Sequence, residues 1–169
     1  MSRLATAGSA AVIGVLCCQD DGEKVSKDFF AYGTLMFADI MATVCGGSYQ
    51  SQPALLRDYR RLVIRNEVYP GIRPQKGDIV RGTVYFKLKS DAWKRLDLFE
   101  GEMYRRDTID IEYADGRTAK AQTYVVRPEF ASRLGRNEWS AGEFLRLGKS
   151  RFQAQYKGFE MLKAKKGDG

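Results

Sequence analysis

The chain has 169 residues, 28 Lys and Arg against 21 Asp and Glu, a formal net charge of +7, and no histidine. That length suits one domain with a real core. The missing histidine excludes Ser-His-Asp and Cys-His catalysis and any His-ligated zinc or iron centre. Cys17 and Cys18 are adjacent and Cys45 stands alone, so neither a Cys-x-x-Cys thiolate site nor a disulfide framework is expected. Acid–base chemistry in such a chain must come from a carboxylate, Tyr, Lys or a lone Cys. The basic balance favours anionic partners in general, but it is equally common on proteins that bind none, and nucleic acid is disfavoured as the partner.

Residues 1–27 differ from the rest. Met1-Ser2-Arg3 precedes an apolar, small-residue-rich run from Leu4 to Cys18, followed by the polar stretch Gln19 to Lys27. The outline is that of a short secretory signal, so export is the alternative to a cytoplasmic protein with a loose N-terminal extension. The run is too short for a good membrane span, and no transmembrane segment is expected. A single domain is expected over residues 28–160, with a basic flexible tail over 161–169.

Within the domain, Phe29 to Tyr32 reads as a short buried strand running into Gly33-Thr34-Leu35-Met36. Phe37 to Val44 reads as a helix broken by Gly46-Gly47-Ser48. Leu55 to Arg65 reads as a strand, Tyr69-Pro70-Gly71-Ile72 as a turn, and Val80 to Lys89 as a half-buried strand. A helix should start at Ser90, with Ser90 as N-cap and Asp91 in the first turn. It places Trp93, Leu96 and Phe99 on one buried side. Glu100 sits on the border of that side, and Gly101 ends the helix. Thr108 to Tyr113 and Thr118 to Val126 form a hairpin around Asp115-Gly116. Glu129 to Leu134 carries no clear pattern, and Ala141 to Tyr156 reads as a helix interrupted near Gly148. The order is not a regular βαβ alternation. It predicts an α+β fold: a small mixed, mostly antiparallel β-barrel with flanking helices.

Two stretches could carry chemistry. A carboxylate in the last turn of a buried helix lies near the negative end of the helix dipole and in reduced water, and both raise its pKa toward neutrality. Glu100 therefore becomes the candidate acid–base residue, against the plainer reading of a solvated helix-end Glu. Tyr32-Gly33-Thr34-Leu35 lies at a strand-to-helix junction, where successive backbone N–H groups can bind a carboxylate or oxyanion, although Gly after a strand is most often only a turn. Arg57, Arg60, Arg61 and Arg65 read as an exposed strand face. Lys94, Arg95, Arg105 and Arg106 flank Glu100 and could draw in an anionic substrate, or could simply be solvated.

Taken together, Tyr-Gly-Thr-Leu, Tyr-Pro-Gly-Ile and Leu-Asp-x-Phe-Glu-Gly-x-x-Tyr-x-Arg resemble, in order and spacing, the gamma-glutamylcyclotransferase-like family. The likeness is strongest to the small branch that includes gamma-glutamylamine cyclotransferases and plant avirulence-induced proteins. It covers roughly Phe29 to Val126. The resemblance implies a barrel with flanking helices and a metal- and cofactor-independent enzyme. Such an enzyme releases 5-oxoproline from a small-molecule γ-glutamyl amine or γ-glutamyl amino acid. It further implies that Tyr32, Gly33, Thr34 and Leu35 hold the γ-glutamyl part, that Glu100 is the catalytic acid–base residue, and that Tyr104 and Tyr124 shape the substrate pocket. The alternative is a non-catalytic ligand-binding or nucleic-acid-binding barrel of the same fold. There, Glu100 would face solvent and the arginines would form one continuous stripe.

Overall fold

Most of the alternating segments become strands that close on themselves. The computed structural model describes residues 27–165. Its strands β1 (Phe29–Ala31), β2 (Ser51–Ile64), β3 (Pro70–Tyr85), β4 (Tyr104–Glu112) and β5 (Thr118–Val126) run in the order β3-β1-β5-β4-β2. β2 also pairs with β3, which closes a five-stranded barrel. Among the described residues only β1 and β5 pair in parallel; every other strand pairing is antiparallel. A sixth strand, β6 (Leu134–Glu138), adds to β2 outside the ring. This is the mixed, mostly antiparallel barrel that the sequence predicts.

Strand alternation sorts side chains into two cores. Phe30, Leu56, Ile72, Val84, Ile111 and Val125 fill the barrel. Phe29, Ala31, Tyr124 and Val126 point the other way and pack under the helices. Those helices are α1 (Ala38–Cys45), α2 (Ser90–Glu100), α3 (Ala141–Glu143), α4 (Lys149–Gln155) and α5 (Lys157–Ala164). A π-helical turn, Phe144–Gly148, joins α3 to α4, where the sequence predicts an interruption. α2 inserts Trp93, Leu96 and Phe99 into the outer core, on the face expected of it.

Several boundaries differ from expectation. Tyr69-Pro70-Gly71-Ile72 is not a turn: the chain reverses over residues 65–69, where Asn66 takes a φ of 65°, and β3 starts at Pro70. Proline is tolerated as the first residue of a strand because the missing N–H breaks no interior ladder bond. After buried Pro70, Gly71 and Ile72, residues 73–79 of β3 are mostly polar with none buried, so that stretch carries no alternation to read. β4 begins at Tyr104, not Thr108. Glu129 to Leu134 resolves into a 3-10 turn, Pro128–Arg133, leading into β6. Ser90 is the first helical residue and not the cap; Lys89 holds that position without a side-chain bond. Residues 161–164, expected in the tail, continue α5 because Leu162 is buried in the outer core. The expectations for residues 1–26 and 166–169 lie outside the described residues.

Candidate active site

Glu100 closes α2, and the two residues beside it fix where it points. Phe99 is only 2% exposed and anchors the last turn. Gly101, at φ +73°, ends the helix and donates its N–H to the Asp97 carbonyl. The Glu100 carboxyl is left half-buried at the edge of an internal cavity. Burial, then the neighbouring Asp97 carboxylate, pushes its pKa up from 4.5 to about 8. Loss of water penalises the charged form, and a like charge penalises it again.

The turn after β1 borders the same cavity. Tyr32, Gly33, Thr34 and Leu35 line it. Thr34–Met36 form one 3-10 turn whose bonding begins with Met36 N–H to Gly33 carbonyl. The N–H groups of Gly33, Thr34 and Leu35 stand outside that ladder. The turn's carbonyls are held from elsewhere. Arg61 Nη1 donates to Tyr32 O at 2.8 Å, and Tyr85 Oη donates to Leu35 O at 2.8 Å. Gly33 is required for close approach: a Cβ there would meet Pro70 Cγ at 2.7 Å.

Tyrosines complete the enclosure. Tyr104 Oη donates to Pro70 O at 2.9 Å and Tyr32 Oη to Tyr124 O at 2.7 Å. Tyr124 Oη donates to Asp97 Oδ1 at 2.6 Å. Burial first, with Glu100 contributing, raises the pKa of Tyr32, Tyr69, Tyr104, Tyr124 and Tyr156. All five phenols stay protonated near neutral pH, and all lie within the field of one carboxylate. Every site residue expected from the sequence thus borders this cavity. Its volume is about 30 Å³, room for a water or two.

Sequence reasoning missed four contributors. Asp97 is exposed on α2 but reaches both Glu100 and Tyr124. Tyr69 reads as part of a turn, yet it is a wall. Phe152 and Tyr156 come from α4 and the link to α5, in the stretch without a motif; their rings stack 4.7 Å apart. The aromatic spacing of that stretch signals a buried helix face but not what the face covers.

The arginines of β2 do not form a stripe. A bulge at Asp58 shifts the register between Arg57 and Tyr59. Arg57 pairs with Glu112, Arg60 with Asp78 and Arg61 with Glu138, while Arg65 Nε donates to Leu134 O. The cations flanking Glu100 are also engaged away from it: Lys94 with Asp91, Arg95 with Val44 O, Arg105 with Asp107, and Arg106 with Asp97 and the Trp93 ring. Cys45 is buried, and burial pushes its thiol up to about 12, so it offers no thiolate. Among the described residues, no three His, Cys, Asp or Glu side chains converge as a metal site, and no helix is long and apolar enough to cross a membrane.

A second, larger cleft of about 340 Å³ opens on the outer side of Glu100. Tyr69, Phe99, Phe152 and Tyr156 border both spaces, so Glu100 stands between an inner chamber and an outer one.

A closed five-stranded α+β barrel, with a carboxylate and a backbone turn lining one cavity, defines the class of this protein. The chain belongs to the gamma-glutamyl cyclotransferase, AIG2-like family, whose model matches residues 29–145. AIG2-like protein D of Arabidopsis thaliana is 36% identical over 102 residues, covering 60% of this chain and 67% of that protein. The solution structure of At5g39720.1, also from Arabidopsis thaliana, is 27% identical with a TM-score of 0.59, over 80% of this chain and 91% of that one. A solved gamma-glutamyl cyclotransferase shares the fold at a TM-score of 0.53 and 19% identity, over 60% of this chain and 67% of that one.

Proposed function

We propose that this protein is a cyclotransferase that releases 5-oxoproline from a γ-glutamyl compound, with Glu100 as its acid–base residue. The observation that carries the proposal is a single carboxylate, its pKa near 8, enclosed beside the Tyr32–Leu35 turn. A carboxylate so poised exists in both forms near neutral pH, as a proton shuttle must.

The substrate's α-ammonium donates a proton to Glu100. The freed amine attacks its own γ-carbonyl carbon, and a carbon–nitrogen bond forms to close the five-membered ring. The bond to the leaving nitrogen breaks as Glu100 returns the proton to it. The ring nitrogen then gives up its second proton through Glu100 to the departing amine, so the products are neutral-amide 5-oxoproline and an ammonium ion, with no water or cofactor consumed. Ring closure gains from orientation, which the locked tyrosines and the Arg61- and Tyr85-held turn supply. Amides of the turn hold negative charge on the substrate. The inner chamber holds only a water or two, so its walls must move apart for a γ-glutamyl group to enter.

The test is a panel of γ-glutamyl compounds with 5-oxoproline as readout. The unmodified protein should produce it, and Glu100→Gln should lower turnover by about 10²–10⁴-fold, the usual worth of general acid–base catalysis, while keeping the barrel's circular dichroism. Near-normal turnover by Glu100→Gln, or no 5-oxoproline from any compound, overturns the proposal.

A further inference from the structure

Asp97 stands where a helix does not favour it. It lies in the last turn of α2, so its negative side chain faces the negative end of the helix dipole. It is also one turn before the like-charged Glu100, and alanine would suit the helix better. Helix stability does not account for this residue, but its contacts do.

Those contacts come from two strands beneath the helix. Arg106 on β4 and Tyr124 on β5 are direct cross-strand partners, so both side chains leave one face of the sheet. On α2, Trp93 and Asp97 are four residues apart and share one side of the helix. Tyr124 Oη donates to Asp97 Oδ1 at 2.6 Å. Arg106 Nη2 stands 3.6 Å from the other oxygen, Oδ2. The Arg106 guanidinium carbon lies 4.8 Å from the centre of the Trp93 ring. Each carboxylate oxygen thus has its own partner, and the guanidinium is held in turn against a buried indole. A hydroxyl donating to a carboxylate at this distance belongs to the strong class of hydrogen bonds.

Only the tyrosine of this trio borders the inner chamber. Tyr124 is buried, whereas the side chains of Asp97 and Arg106 are 47% and 35% exposed. Phe29 packs edge-on against the Tyr124 ring, with centroids 5.9 Å apart. That apolar contact fills space without direction, and the Asp97 bond supplies the fixed point. The ring cannot leave the chamber wall without breaking that bond.

Given the function proposed above, we infer that Asp97, clamped by Arg106, is a positioning residue for that reaction: it holds the Tyr124 ring as a fixed wall against which the γ-glutamyl group seats. This role is separate from its charge on Glu100, because any side chain that accepts the Tyr124 proton can fill it.

Steady-state kinetics test it when run well above the Glu100 midpoint, where that carboxylate is ionised in every variant. The substrate is γ-glutamyl-alanine, or the panel compound that the unmodified protein turns over best. Asp97→Ala and Tyr124→Phe should each raise KM about 10-fold, the worth of a hydrogen bond to a charged group, with a smaller change in kcat. The double variant should lose no more than either single one, because both remove the same bond. Asp97→Asn keeps an acceptor oxygen and should recover most of the loss in KM. Arg106→Gln should raise KM by less than Asp97→Ala. The Asp97 side chain is part-exposed and alanine favours helix, so Asp97→Ala should keep the fold. An unchanged KM in Asp97→Ala, additive losses in the double variant, or equal losses in Asp97→Ala and Asp97→Asn would each overturn the inference and leave the cyclotransferase reading intact. No 5-oxoproline from any compound with the unmodified protein overturns both together.

Discussion

At the level of single residues, the chemistry depends on what surrounds one carboxylate. Burial and Asp97 raise the Glu100 pKa to about 8, and the proposed first step requires its ionised form. That form grows as pH rises, so kcat/KM should climb through a midpoint near 8. Asp97→Asn removes the nearby negative charge and should move that midpoint to lower pH, because one of the two causes of the rise is gone. A pH–rate profile that does not shift in this variant would separate Asp97 from the titration. Glu100 is legible in the sequence because three apolar residues at helical spacing fix its face. Asp97 is not, because its role depends on Tyr124, 27 residues away and hydrogen-bonded only once the barrel closes. Arg61 escapes the sequence for the same reason. On β2 it reads as one of four surface arginines, but its side chain is only 12% exposed and it holds the Tyr32 carbonyl.

At the level of elements, the site is a junction between a strand-end turn and two helical segments. Tyr85 on β3 fixes the turn through the Leu35 carbonyl, and the Met36 carbonyl also lies within reach at 3.2 Å. Tyr85→Phe leaves a buried acceptor unsatisfied and should cost about 1–3 kcal/mol, measured by urea denaturation, with a rise in KM as the turn loosens. α2 is fixed by Phe99, whose ring meets those of Phe152, Tyr156 and Phe159. Phe99→Ala should destabilise the fold by about 3–5 kcal/mol and loosen Glu100 with it. The strands that can be read from the sequence are those with one face buried, such as the second half of β4, where Ile109 and Ile111 are buried and their neighbours are not. The middle of β3, residues 73–79, and β6 beyond Leu134 are not legible: with no buried residue in either stretch there is no alternation to read. The aromatic run of α4 and α5 announces a buried face, but only the fold shows that this face closes the chamber.

At the level of the whole molecule, the enclosed carboxylate sets site function against stability. In the unfolded chain Glu100 titrates near 4.5, and in the fold near 8. Between those values the folded state binds more protons than the unfolded state, so stability falls as pH rises. The contribution is complete below about 4.5 and is lost by the time pH has passed through about 8. One pKa unit corresponds to 1.36 kcal/mol, so the full loss approaches about 4–5 kcal/mol, less whatever water reaching the half-buried group restores. Glu100→Gln keeps the shape and removes the titration. It should therefore match the unmodified protein in stability near pH 4.5 and exceed it progressively toward pH 8.5, as urea denaturation at a series of pH values would show. The same substitution that lowers the proposed turnover should thus make the barrel more stable as pH rises above neutrality. A stability gap that stays flat across that range would mean the carboxylate is solvated in the fold, and would undercut its proposed role as the proton shuttle.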